Sequence, residues 1–173
     1  MKKTMQQENQ QNNQKEKFSR IVPTWKFILL SVITFGIYEL VWFYKNWKLL
    51  KKEKGLKISP FWRALFSPLF AGSIAGHLQK YLKEKNNSCN YSPTLIGISY
   101  FVITILWRLP DPYWLLSFFT FIPILPLVNS MNTHWQKEEK NLPVKKFTWW
   151  QILLVILGFI WLTLLIIGTF VSE

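Results

Sequence analysis

Cysteine occurs once, at Cys89, so no disulfide can form within the chain and no cysteine-based metal site can close. Histidine occurs twice, at His77 and His134, with neither a His-x-x-x-His nor a His-Glu pairing. No Gly-x-Gly-x-x-Gly, Walker or Gly-x-Ser-x-Gly pattern is present. Acidic residues number nine against 21 Lys and Arg, a formal charge of +12. These shortages leave enzyme chemistry little to build on. Cys89, His77, His134, Asp111 and Glu39 are scattered, and Cys89 stands in a polar Asn-Ser-Cys-Asn stretch where a thiol is incidental. The expectation is a non-enzyme without cofactor, metal or catalytic residues.

What is abundant is apolar. Half of the residues are hydrophobic, 17% are aromatic and ten are tryptophan. They sit in unbroken blocks with the lysines between them, which excludes a soluble enzyme domain, a disulfide scaffold and a disordered chain. The pattern predicts an all-α integral membrane protein. Its expected parts are a re-entrant or spanning N-terminal helical hairpin, interfacial amphipathic helices, a short transmembrane hairpin and a C-terminal transmembrane helix.

Residues 1–23 hold Gln, Asn, Lys and Glu with little to bury and are expected to be a disordered tail. The rest, 24–173, reads as one helical membrane domain. Trp25 to Tyr44 could cross a core of about 30 Å, but Gly36 interrupts it and Glu39 lies inside it. It has no small-residue cleavage site and reads as a retained segment. Lysines flank both ends, and short basic loops stay cytoplasmic, which favours a dip that turns near Gly36. Beyond it, Trp42, Phe43, Trp47, Leu49 and Leu50 share one helical side and Lys45, Lys48, Lys51 and Lys52 the other. With Gly55 as its cap, this region (24–58) predicts a dip followed by a basic amphipathic helix in the headgroup plane of an anionic leaflet. The adjoining apolar blocks argue against a nucleic-acid partner.

Ser59-Pro60 and Ser67-Pro68 each signal a helix start, so 59–92 is expected to hold short interfacial helices. Arg63 is embedded there, and Gly72 and Gly76 form a Gly-x-x-x-Gly for close helix packing. Thr94–Leu109 and Tyr113–Val128 flank Pro110-Asp111-Pro112 and predict a hairpin over 93–130. As α-helices its arms would each rise only about 24 Å. Pro123 and Pro126 free carbonyls that need partners within a membrane. Residues 131–147 are expected to form a cytoplasmic loop, and 148–170, uncharged, a span.

Two functional classes compete. One is a membrane module that engages anionic lipid, a second copy or another membrane protein. The other is a subunit of an oligomeric transporter or channel, with Glu39 paired to Arg63 and a polar path through Asn129 and Asn132. The ordinary readings of the same residues are a solvated Glu39, a snorkelling Arg63 and a helix end entering the cytoplasm at Asn129 and Asn132.

At Thr34-Phe35-Gly36-Ile37-Tyr38, with Trp42-Phe43-Tyr44-Lys45 beyond, the sequence resembles a group of small bacterial membrane proteins described only as a domain of unknown function. Pro60-Phe61-Trp62-Arg63 and Pro126-Leu127-Val128-Asn129 to Asn132 are similar to longer relatives. The resemblance is firmest over 24–65. It implies a bacterial inner-membrane protein, and carries no activity, cofactor or catalytic residue with it; the multi-pass arrangement with a cytoplasmic N-terminus is what the lysine distribution predicts.

Overall fold

Proline and glycine divide the chain into its helices. The computed structural model describes residues 21–87, 89–138 and 149–171, so most of the polar tail and of the expected 131–147 loop lies outside the described residues. Helix α1 covers Thr24–Ile33 and α2 Ile37–Lys54. Helix α3 is Pro60–Leu65, α4 Ser67–Glu84 and α5 Pro93–Ile105. A 3-10 turn, Leu106–Arg108, and a 3-10 arm, Tyr113–Ile124, lead into α6, Leu125–Glu138; the last helix, α7, is Trp149–Val171. No strand is present among the described residues.

The turn between α1 and α2 is made by Gly36, whose φ of 80° is open to glycine without a steric penalty. Thr34 fastens it on both sides: its hydroxyl donates to the Leu30 carbonyl and accepts the Tyr38 N–H at 2.9 Å. The two helices then fold back on each other, with Phe27 edge-on to Tyr38 and Trp42, each at 5.9 Å between ring centres. Gly55 ends α2 at a φ of 61°, and Lys54 pairs with Glu84 to tie the ends of α2 and α4.

Buried positions on α2 recur at helical spacing: Glu39, Trp42, Phe43, Asn46, Trp47, Leu49 and Leu50. The apolar side therefore faces the protein's own helices. This corrects the expectation of an amphipathic helix lying in the headgroup plane on that side, because Trp47 is fully buried and Trp42 nearly so. The expected short second helix after Ser67-Pro68 is likewise corrected. Helix α4 runs for 18 residues and buries Ala71, Ile74, Ala75, Leu78 and Leu82. The polar composition after Met131 does not end α6 either, because Met131, His134 and Trp135 are buried on its inner face.

Helices α4 and α5 pack most extensively. Gly72 and Gly97 meet at their crossing: a Cβ on Gly97 would stand 2.9 Å from the Gly72 Cα. Gly76 lies farther along, where a Cβ would make an ordinary 3.9 Å contact with Pro93. Helix α7 rests on α1 at a similar point, since a Cβ on Gly158 would collide with Ile33.

The 3-10 arm has a strict three-residue repeat. Tyr113, Leu116, Phe119 and Ile122 are exposed, Phe121 and Ile124 are buried, and Ser117 and Thr120 occupy the third edge. Because a 3-10 helix rises about 2.0 Å per residue, the stretch Tyr113–Val128 reaches about 30 Å, longer than the same residues as an α-helix. Tyr113–Glu138 is the one helical stretch among the described residues long and apolar enough to cross a membrane. Thr24–Ile33, Pro93–Arg108 and the Gln151–Leu164 part of α7 are shorter apolar helical stretches.

Candidate functional site

Two features on α2 carry chemistry. The first is a groove along its outer side. Lys45, Lys48 and Lys52 follow one another at three- and four-residue spacing, so they share a face. With Val22, Val41, Trp42, Asn46, Leu49 and Trp135 they line a cavity of about 380 Å³. Apolar floor and basic rim lie side by side there. Lys51 points elsewhere and borders a shallow depression formed with Gly55 to Pro60.

The floor of this groove is held by α6. Asn132 brackets the backbone of Val22, accepting its N–H at 3.2 Å and donating to its carbonyl at 2.7 Å. Asn129 accepts from the Thr24 hydroxyl one turn away. Val22 lies ahead of the helix, so its N–H and carbonyl have no partner within α1, and a side-chain amide can serve both at once. Asn129 and Asn132 therefore fasten the start of α1, and α6 runs on past them to Glu138, so they are not the helix end expected from sequence.

The second feature is Glu39, in the first turn of α2. It is 1% exposed. Its Oε1 accepts from the Thr120 hydroxyl at 3.0 Å, and its Oε2 has no hydrogen-bond partner among the described residues. The expected solvated Glu39 is overturned by this burial. Around it a cavity of about 280 Å³ is lined by the hydroxyl residues Ser67, Tyr100, Thr104, Ser117 and Thr120.

The expected ion pair between Glu39 and Arg63 is also absent. The Arg63 guanidinium lies over the Trp47 ring at 4.7 Å and near Phe70 at 5.3 Å. A guanidinium against an aromatic face is stabilised by the ring quadrupole without a carboxylate. The four polar residues singled out in the sequence thus fall into three separate places: Glu39 in the hydroxyl-lined cavity, Arg63 on Trp47, and the two asparagines on α1.

Residues 22–60 match the model of a family described as a domain of unknown function (DUF4234). No curated protein and no solved structure matches the chain. The matched stretch contains α1, the Gly36 turn, Glu39 and the whole lysine row of α2. Arg63, Thr120 and both asparagines lie outside it.

A third polar cluster was not legible in the sequence. His134 is buried, with Asn87 at 2.9 Å from its Nδ1, the Tyr81 hydroxyl at 3.5 Å from its Nε2 and the Glu138 carboxylate at 3.9 Å. It joins the end of α4 and the loop beyond it to α6. Cys89 sits just past this cluster, half-buried, and burial pushes its thiol up, against the smaller opposing effects of Lys83 and Tyr91. Among the described residues no group of three or more His, Cys, Asp and Glu is placed to hold a metal.

Proposed function

We propose that the chain is a non-enzymatic helical module of the bacterial inner membrane whose α2 groove holds an anionic lipid headgroup on the cytoplasmic side. The observation that carries this reading is the convergence of Lys45, Lys48 and Lys52 on one cavity floored by Trp42, Leu49 and Trp135. A phospholipid presents the matching pair, an anionic head and an apolar stem. Each lysine close to an anionic surface contributes about 1 kcal/mol.

The hairpin geometry supports the same orientation. Helix α1 has ten residues, about 15 Å, which is half a hydrocarbon core, and the chain turns back at Gly36. A dip of that depth keeps the lysines on both of its flanks on one side. Elsewhere the surface is apolar over Phe61, Trp62, Leu65, Leu69, Leu95, Ile98 and Val102, a patch suited to lipid and costly in water. In this arrangement the 3-10 arm with α6 crosses the bilayer, as do α5 and α7.

Native mass spectrometry of the full chain in detergent tests the lipid assignment. Phosphatidylglycerol is expected to be retained over phosphatidylcholine, with the retention lost in high salt and in a Lys45→Gln, Lys48→Gln, Lys52→Gln variant. Equal retention of the two lipids, or an unchanged preference in the variant, overturns it. Sidedness is read separately from Lys51→Cys in a Cys89→Ser background. Protection from an impermeant maleimide in intact cells, with labelling after lysis, is the expected result.

A further inference from the structure

We propose that the cavity around Glu39 binds a monovalent alkali cation such as sodium, held by the Glu39 carboxylate and the surrounding hydroxyls. The site is separate from the lysine groove and does not depend on the lipid reading. Four elements build it: Glu39 comes from α2, Ser67 from the start of α4, Tyr100 and Thr104 from α5, and Ser117 and Thr120 from the 3-10 arm.

The donor set is entirely oxygen. Thr120 spends its proton on Glu39 Oε1, and Thr104 donates to the Tyr100 carbonyl at 2.7 Å, so both hydroxyl oxygens keep lone pairs to offer. The Ser67 and Tyr100 hydroxyls stand 3.3 Å apart on another wall. Glu39 Oε2 is buried and has no hydrogen-bond partner within bonding geometry among the described residues, although the Tyr100 hydroxyl faces the carboxyl group. An ionised carboxylate removed from water requires a counter-charge or hydrogen bonds.

No Lys, Arg or His lines the cavity among the described residues, and the nearest sequence candidate, Arg63, is engaged on Trp47. The charge count selects the ligand. One carboxylate balances one positive charge, whereas a divalent ion would leave a net charge in an apolar setting. Hard oxygen ligands without imidazole or thiolate select an alkali cation over a transition metal. A cavity of about 280 Å³ has room for the ion and for water to complete its shell.

The test is thermal unfolding of the full chain in phosphatidylcholine nanodiscs, titrated with sodium chloride against choline chloride at constant ionic strength. Sodium is expected to raise Tm saturably and choline is not. Glu39→Gln keeps an oxygen for Thr120 and removes the buried charge. It should fold, match or exceed the wild-type Tm in choline, and lose the sodium response. Thr120→Val keeps the carboxylate and should raise the half-saturating sodium concentration about tenfold, the weight of a hydrogen-bonding oxygen at a charged group. Absence of a sodium-specific shift overturns the proposal, as does an equal response in Glu39→Gln. A wild-type Tm that rises only on acidification, whatever the salt, overturns it too and makes Glu39 a protonated acid instead.

Discussion

Gly97 and Gly72 meet backbone to backbone: a Cβ on Gly97 would stand 2.9 Å from the Gly72 Cα and 3.0 Å from its nitrogen. Neither atom belongs to a flexible side chain, so α4 and α5 can accommodate a larger residue only by moving apart. Gly97→Ala is expected to cost about 1–3 kcal/mol of stability, the range for overfilling a packed interface. Gly76→Ala, whose new methyl would touch Pro93 at 3.9 Å, should be close to neutral. Equilibrium unfolding of the two variants side by side in one detergent decides the matter, and equal costs would show that the crossing is not tight.

Asn132 makes two backbone hydrogen bonds to Val22, so its loss leaves both an N–H and a carbonyl without their partner. Asn132→Ala is expected to destabilise the chain by about 1–3 kcal/mol. Amide exchange should show where the loss falls: faster at Val22 and along α1, unchanged at the Gly72–Gly97 crossing. Uniformly faster exchange would mean that the pair supports the whole bundle instead of anchoring one helix.

The thiol of Cys89 is raised chiefly by burial. A raised acid stays protonated to higher pH, so less of the reactive thiolate exists at neutrality than for an ordinary cysteine, whose pKa is about 8.5. Alkylation of the folded chain by iodoacetamide should therefore be slower than that of the unfolded chain at pH 7, and should keep rising with pH after the unfolded chain has levelled off. A rate profile that levels at or below the ordinary range would contradict this.

Local chemistry was legible in the sequence. The Gly36 turn, the Gly55 cap and the helix starts at Ser59-Pro60 and Ser67-Pro68 follow from conformational preferences that act within a few residues. The two-sidedness of α2 was legible as well, since burial follows the helical spacing of Trp42, Phe43, Trp47, Leu49 and Leu50. What covers that apolar side was not. Periodicity gives a face but not its occupant, and lipid and protein satisfy an apolar stripe equally.

Glu39 shows the same limit for polar residues. Its hydrogen-bond partner, Thr120, is 81 residues away, and Asn132 finds Val22 across 110 residues. No spacing rule reaches that far. Gly97, the counterpart of Gly72, is a lone glycine in Thr-Leu-Ile-Gly-Ile and has no local signature of close packing.

The 3-10 arm makes chain length in this region a discrete quantity. Its outward edge of Tyr113, Leu116, Phe119 and Ile122, its inward edge at Phe121 and Ile124, and its hydroxyl edge at Ser117 and Thr120 all recur every third residue. Adding or removing one residue ahead of Thr120 turns everything on one side of the change by about 120°. Apolar side chains would then occupy the place of the hydroxyls, and a hydroxyl would face outward. Adding three residues would restore all three edges and lengthen the arm by about 6 Å. Length changes here are therefore expected to keep the three edges only in multiples of three, as in a reading frame, although the frame belongs to the folded backbone and not to the gene.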